Sequence, residues 1–391
     1  MRSAESRSER LLVTGGAGFV GSNFIRYYLD AHPEARVVNL DALTYAGNRA
    51  SLADIERKHQ GRYKFVKGNI GNQELVDQVF EEEQPSVVVN FAAESHNSRG
   101  VANPGIFVES NVLGTQRLLD VARERGIQRF HHISTCEVYG DLPLDSEERF
   151  KEGDPYKPRT PYNSSKASAD MIARAYSETF GVPVTISICS NNYGPYQFPE
   201  KLIPNFITKG LGGEQLPLYE SSRNRREWLH VIDHCRAIDL VLQGGREGET
   251  YNIGSGVEID VETIADIVIR ALNLEASRKR YVPDRPGHDR RYLLDSSKIR
   301  SELGWEPQVV FDRGIHNTIQ WYIDNRQWWE PLLQKLEIDE ASWGSHNQQE
   351  VEGRKVSHAD SKTQVAVASG ENFIDPYHPY KTKPSGAERS E

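Results

Sequence analysis

The chain has 391 residues, 37% of them hydrophobic and 26% charged, enough apolar material for a sizeable core and too much for wholesale disorder. A formal net charge of −9 argues against nucleic acid as a partner, and the charged N-terminus excludes a secretory leader. No apolar run reaches the roughly 18–20 residues of a membrane helix, and Cys136, Cys189 and Cys235 show neither a disulfide framework nor zinc-ligand spacing, so a soluble cytoplasmic protein without a metal or membrane partner is expected.

Residues 1–9 read as a polar tail. Leu11–Thr14 follows as a buried strand and Gly18–Asp30 as a helix. Arg36–Leu40, Tyr63–Val66 and Val87–Ala93 are further β-rich runs, and Phe107–Arg125 has a helical period. Phe130–Ser134 reads as a strand, Tyr162–Phe180 as a helix and Val184–Cys189 as another strand. Near-continuous Val/Ile/Leu strands alternating with helices imply a parallel sheet covered on both faces. The expected fold is α/β, a Rossmann-type doubly wound parallel sheet over residues 10–190 with 224–250 interleaved. After Cys189 the sequence becomes turn-rich, with a helix over Asp233–Gln243 and an isolated strand at Tyr251–Ile253. Residues 191–223 and 251–333 are expected to form a smaller, partly interleaved α/β lobe. The aromatic group Trp321, Tyr322, Trp328 and Trp329 reads as core packing, and the polar stretch 334–391 as a disordered extension.

Two motifs carry chemistry. The first strand runs into Gly15, Gly18 and Gly21, a GxxGxxG spacing at a strand-to-helix turn. Glycine permits the tight turn and lets backbone N–H groups approach a pyrophosphate at the helix start. Asp41 ends the next strand, 20 residues past Gly21, where a carboxylate suits the ribose 2′-hydroxyl of NAD and repels the phosphate of NADP. In the second motif, Tyr162 and Lys166 stand four apart at a helix start, so they share a face. The ammonium can lower the phenol's proton affinity and make a base for a sugar hydroxyl while NAD takes the hydride. Thr135, Cys136 and Glu137 follow a strand whose C-terminal end faces the ligand crevice of a parallel sheet. They read as acid/base machinery, with Cys136 alternatively a small buried spacer. Lys201, Arg226, Arg285 and His288 as a set suit a diphosphate, although each taken singly reads as a solvated surface residue.

Together these motifs resemble those of an extended short-chain dehydrogenase/reductase. Leu40–Asn48, Ala92–His96, Ser190–Pro195, Phe198–Pro204 and Asp284–Asp289 further resemble the dTDP-glucose 4,6-dehydratases, over roughly residues 10–333. The resemblance implies a homodimer through the helices Phe107–Arg125 and Tyr162–Phe180. It implies an NAD site of Gly15, Gly18, Phe19, Val20, Gly21, Asp41, Ala42, Leu43, Thr44, Asn69, Ile70, Ala92, Ala93, Ser95, Ser110, Tyr162, Lys166 and Asn191. It also implies a site for a dTDP- or UDP-hexose at His96, Thr135, Asn192, Lys201, Leu202, Pro217, Tyr219, Arg226, Asn252, Arg285 and His288. In the implied cycle Tyr162, with Lys166 and Thr135, removes the C4 hydroxyl proton as hydride passes to NAD. Glu137 then takes the C5 proton, water leaves from C6, and hydride returns to C6.

The chain departs from the family at the acid, where Cys136 replaces an Asp. A thiol holds its proton near neutral pH but is the weaker acid by roughly 4–5 pKa units. Either Cys136 donates to the C6 oxygen, or Glu137 carries the proton from C5 to C6 alone. A Cys-Glu-Tyr set also resembles the 5,6-dehydratases of antibiotic pathways, which leave an exocyclic alkene. A UDP-glucuronate decarboxylase or epimerase type is a more distant alternative, and an NAD-binding regulator without activity the remaining one. Smaller departures are Asn69 for an Asp, Asn97–Gly100 after His96, and Glu220-Ser221-Ser222 after Tyr219.

Overall fold

The computed structural model describes residues 9–96, 103–284 and 287–336. The polar tail expected at 1–9, apart from Glu9, and nearly all of the C-terminal extension, together with Arg285 and the run Asn97–Gly100, lie outside the described residues. Twelve strands are present among those described: β1 (Arg10–Thr14), β2 (Arg36–Asp41), β3 (Tyr63–Lys67), β4 (Val87–Asn90), β5 (Arg129–Thr135), β6 (Val184–Cys189), β7 (Asn191–Tyr193), β8 (Leu216–Tyr219), β9 (Arg225–His230), β10 (Thr250–Ile253), β11 (Glu258–Asp260) and β12 (Lys279–Val282). Seven form one sheet in the order β3-β2-β1-β4-β5-β6-β10, and every pairing in it is parallel.

The alternation along β1 shows why this sheet carries two helical layers. Leu11 and Val13 pack with Phe24 and Ile25 of the helix Phe19–Ala31 and with Val231, Cys235 and Ile238 of the helix Val231–Gly244. Leu12 points the other way, into a core with Leu118, Leu119, Ala167, Ala173 and Ile186. Successive strand side chains face opposite sides, so a strand apolar at every position is buried on both.

Three differences from the sequence reading matter. Thr250–Ile253, expected as an isolated strand of the smaller lobe, is the edge strand of the main sheet, pairing with β6. The strand expected over Val87–Ala93 stops at Asn90, whose side-chain oxygen accepts from the Thr14 hydroxyl at 2.6 Å. The chain leaves the sheet there, beside β1, where the strand order reverses. The helical stretch before Arg125 contains a π turn, Val108–Leu113, in a sequence whose period looks ordinary. Such turns insert a residue and re-aim side chains.

The second core is built on two small sheets, β7-β9-β11 and β8-β12. The helices Leu202–Leu211, Val261–Ala271 and Phe311–Asp324 enclose it, and Tyr322, Trp328 and Trp329 are buried in it. No helix among the described residues is long and apolar enough to cross a membrane.

Candidate active site

The crevice opens where β1 and β4 part. Gly15 leaves β1 with φ of +69°, and a Cβ there would lie 2.7 Å from the Ala92 backbone nitrogen. A Cβ on Gly21 would meet the Gly15 carbonyl oxygen at 2.5 Å. Neither position can therefore carry a side chain, and the turn exposes the start of the helix Phe19–Ala31 to the crevice. Gly16, absent from the sequence motif, is held as tightly by the Asn39 side chain. Asp41 braces the turn: one carboxylate oxygen accepts from the Ala17 amide at 2.8 Å and the other from the Leu43 amide at 2.7 Å. Burial pushes its carboxyl up while those two amides pull it down.

A cavity of about 330 Å³ runs from this turn across the sheet's C-terminal edge. That lies in the range of small-molecule sites. Of the residues expected to hold NAD, all but Leu43 line it. Leu43 packs in the core at a left-handed φ of +53° and contributes its backbone N–H to Asp41. Ser110 reaches the cavity from the π turn. The glycine turn, the helix start and the acidic strand end fit a dinucleotide with a free 2′-hydroxyl.

The helix Pro161–Phe180 brings the second motif to the same cavity. Thr160 caps it by accepting from the Asn163 amide, Pro161 occupies its first turn, and Gly181 ends it in the left-handed region. Tyr162 and Lys166 are both buried and both line the cavity. The Lys166 ammonium donates to the Ile133 carbonyl at 2.5 Å. The expectation that Lys166 lowers the Tyr162 phenol is not met in the protein alone. Burial pushes the phenol well above its ordinary value, and the Glu137 carboxylate adds to that.

After β5 the chain makes a tight 3₁₀ turn, Cys136–Val138. Thr135 and Glu137 line the cavity, whereas Cys136 is 1% exposed and packs with Val138, Tyr139, Ala167 and Ile188. Burial, then Glu137, pushes its thiol well up. The position expected to present an acid therefore holds a core thiol that is not part of the cavity wall.

The expected sugar-nucleotide residues divide. Asn192 and Lys201 line the cavity, and Lys201 donates to the Ser95 carbonyl at 3.1 Å. His96 lies 3.6 Å from the Glu200 carboxylate, beside Lys201, and Leu202 begins the next helix. Arg226, His288 and Tyr219 form a separate group: the Arg226 guanidinium is 3.1 Å from His288 Nε2, and the Tyr219 and His288 rings meet edge to face at 5.0 Å. Pro217 precedes them on β8. Asn252 does not belong with either set. It is fully buried, accepts from the Tyr139 hydroxyl at 3.0 Å and donates to the Phe150 carbonyl at 3.0 Å, so its polar groups are spent inside the fold.

Sequence reasoning missed Glu200, Cys189 and His234 as wall residues. Tyr45 donates to Glu200 at 2.9 Å. His234 Nδ1 meets the Asn192 side-chain oxygen at 3.1 Å, and burial drives its imidazole down to about 3, so it is neutral. Cys189 sits across from Thr135 in the β5–β6 register, its thiol pushed up to about 12 by burial. Glu200 lies within the family-like run Phe198–Pro204 and Cys189 at the end of β6, whereas His234, within the helix Val231–Gly244, carries no local signal. Among the described residues no group of three or more His, Cys, Asp or Glu could hold a metal ion.

Comparison with known proteins agrees with this geometry. The family model for GDP-mannose 4,6 dehydratase matches residues 12–318. The dTDP-glucose 4,6-dehydratase of Streptomyces niveus is 48% identical over 327 residues, 83% of this chain and 95% of that one. The crystal structure of DesIV, the dTDP-glucose 4,6-dehydratase of Streptomyces venezuelae, contains NAD. It superposes with a TM-score of 0.79 at 49% identity, covering 83% of this chain and 99% of that one. The Bacillus anthracis enzyme, also in complex with NAD, gives 0.77 at 46% identity, covering 83% and 100%. The chain thus belongs to the GDP-mannose 4,6 dehydratase family of extended short-chain dehydrogenase/reductases, and within it to the branch of the dTDP-glucose 4,6-dehydratases.

Proposed function

We propose that this chain is an NAD-dependent hydro-lyase that converts dTDP-glucose to its 4-keto-6-deoxy product. What carries the reading is one cavity whose wall combines the glycine turn and Asp41 with Thr135, Glu137, Tyr162 and Lys166. Relatives that are 44–50% identical to this chain and covered over 94% or more of their length are dTDP-glucose 4,6-dehydratases.

Gly15, Gly18, Gly21 and Asp41 hold the cofactor's pyrophosphate and ribose, and Tyr162 and Lys166 stand at its reactive end. When bound, NAD supplies a reversible hydride acceptor and a positively charged ring, so the oxidation at C4 and the reduction at C6 cancel. Tyr162 takes the C4 hydroxyl proton, with Thr135 hydrogen-bonding the same oxygen. The C4 ketone acidifies C5–H, and Glu137 takes that proton. With Cys136 outside the cavity wall, Glu137 itself hands the proton to the C6 oxygen, the C6–O bond breaks and water leaves. The proton that later reaches C5 enters from solvent through Glu137. Burial and the neighbouring carboxylate hold the Tyr162 phenol up in the protein alone, and the charge of bound NAD would add to that of Lys166 in favouring its ionised form.

The assembly read here is a homodimer. Val108 and Leu113 on the first of the implied interface helices, and Met171 and Phe180 on the second, are apolar and exposed. Such a patch calls for a partner surface. Tyr162→Phe tests the function directly. The purified variant should bind NAD and yield no dehydrated product by mass from dTDP-glucose, and normal turnover would overturn the reading.

A further inference from the structure

Behind Lys166 lies a chain of buried polar groups that no sequence motif announces. Lys166 Nζ is 3.4 Å from His132 Nε2, and that nitrogen is 3.4 Å from Asp170 Oδ1. Asp170 stands one helical turn beyond Lys166, and Asp170, His132 and Lys166 are all buried. Its Oδ2 accepts from the Ser134 hydroxyl at 2.6 Å and the Tyr156 hydroxyl at 3.0 Å, while Oδ1 makes no hydrogen bond. Arg174 ties Tyr156 to the Thr250 hydroxyl on β10, so the carboxylate is held from two sides.

The network around His132 fixes its tautomer. Asn90 Oδ1 takes the Thr14 hydroxyl proton, so Asn90 Nδ2 is the donor to Thr115 and to His132 Nδ1, at 3.1 and 3.2 Å. His132 therefore carries its proton on Nε2, so that nitrogen cannot accept from the Lys166 ammonium, and its N–H lies on the side of Asp170 Oδ1. Burial drives this imidazole down to about 4, so it stands neutral between an ammonium and a carboxylate. An isolated buried ammonium is expensive, and a buried counter-charge offsets that cost.

We propose that Asp170, across the neutral His132 imidazole, is the counter-charge that keeps Lys166 an ammonium seated on the Ile133 carbonyl, and so is a positioning residue for the Tyr162–Lys166 pair. Burial favours the neutral amine of Lys166, and Asp170 is the foremost group opposing it. Tyr162 on the same helix, Glu137 after β5 and Cys189 at the end of β6 are ionisable groups of the same cavity wall, which also carries Asp41, Tyr45, Glu94, Glu200, Lys201 and His234 on other elements. Asp170 alone combines a spare oxygen with a direct line to the lysine's neighbour. The inference rests on the catalytic reading of Tyr162 and Lys166.

The test is the pH dependence of the first half-reaction in the NAD-loaded enzyme, read as single-turnover growth of reduced-cofactor absorbance with dTDP-glucose. In Asp170→Asn, which keeps the shape and removes the charge, the alkaline limb should move at least one pH unit lower. The rate at pH 8 should fall tenfold or more, and KM should change less than twofold. An unmoved limb overturns the proposal, and so does a uniform rate loss without a shift, which is what a purely structural role gives. Lys166→Met separates the two readings. If it is inactive while Asp170→Asn behaves like the parent, this inference alone fails. If it keeps the parent rate, the catalytic pair fails and this inference with it. Should Asp170→Asn not fold, Asp170→Ala removes the same charge and must shift the limb in the same direction. No shift there overturns the proposal.

Discussion

Replacing Cys136 by Ala separates a core thiol from a catalytic acid. The side chain is 1% exposed among Val138, Tyr139, Ala167 and Ile188, and it is absent from the cavity wall. Cys136→Ala removes a single buried heavy atom. By analogy with Ile→Val truncation, which leaves a similar void, the cost is about 1 kcal/mol of stability. In a chain of this size that moves the melting temperature down by roughly 2 °C. A positioned acid contributes typically about 10²–10⁴-fold in rate. The two readings thus differ by at least about 2.7 kcal/mol in transition-state stabilisation. Thermal melting and steady-state turnover of dTDP-glucose, measured on the same preparation, decide between them. A small fall in melting temperature with kcat within threefold of the parent is the expected outcome. A hundredfold loss of kcat at unchanged stability would refute the placement of proton transfer on Glu137 alone.

Glu137→Gln should keep C4 oxidation and lose elimination by about 10²-fold or more, so reduced cofactor accumulates on the enzyme; a parent-like product rate would remove Glu137 from the mechanism. Gly21→Ala puts a Cβ 2.5 Å from the Gly15 carbonyl and 2.8 Å from Gly16 Cα. Forcing the turn apart should cost about 1–3 kcal/mol and weaken NAD binding by roughly 10–100-fold in titration calorimetry, whereas unchanged affinity would mean the turn does not meet the cofactor. Glu227 is buried, its carboxyl raised by burial to about 7 although the Gly256 and Leu294 amides donate to it. The folded state then holds a proton that the unfolded chain releases near its ordinary 4.5. This group's contribution to stability is therefore largest below that value and declines as pH rises towards about 7, by roughly 3 kcal/mol. Chemical unfolding across that window should show a downward slope that Glu227→Gln flattens; an identical slope in the variant would place the proton elsewhere.

How far the sequence could be read depended on whether a signal was local. The parallel sheet was legible because β1, β4 and β6 are apolar at nearly every position, which only two-sided burial explains. The glycine turn and the Tyr162–Lys166 pair were legible because each is a short spacing at an element end. The π turn at Val108–Leu113 was not, since an inserted residue leaves the apolar period almost intact. Thr250–Ile253 gave no hint of its partner, because its pairing with β6 spans more than sixty residues of chain. Cys136 shows the limit most sharply. Its position after β5 predicted a wall residue, yet the Cys136–Val138 turn sends alternate side chains in and out. Asp170 and His132 were silent because neither lies in a motif and both act through buried contacts.

The central claim is that Glu137 carries a proton between C5, the C6 oxygen and solvent while the sugar stays in one cavity. Incubating the enzyme with dTDP-glucose in D2O and reading the product by NMR tests it most directly. The account predicts a 4-keto-6-deoxy sugar with deuterium at C5 and the original C4 hydrogen at C6. A 5,6-alkene with the C4 hydroxyl retained, or a product carrying protium at C5, would contradict it.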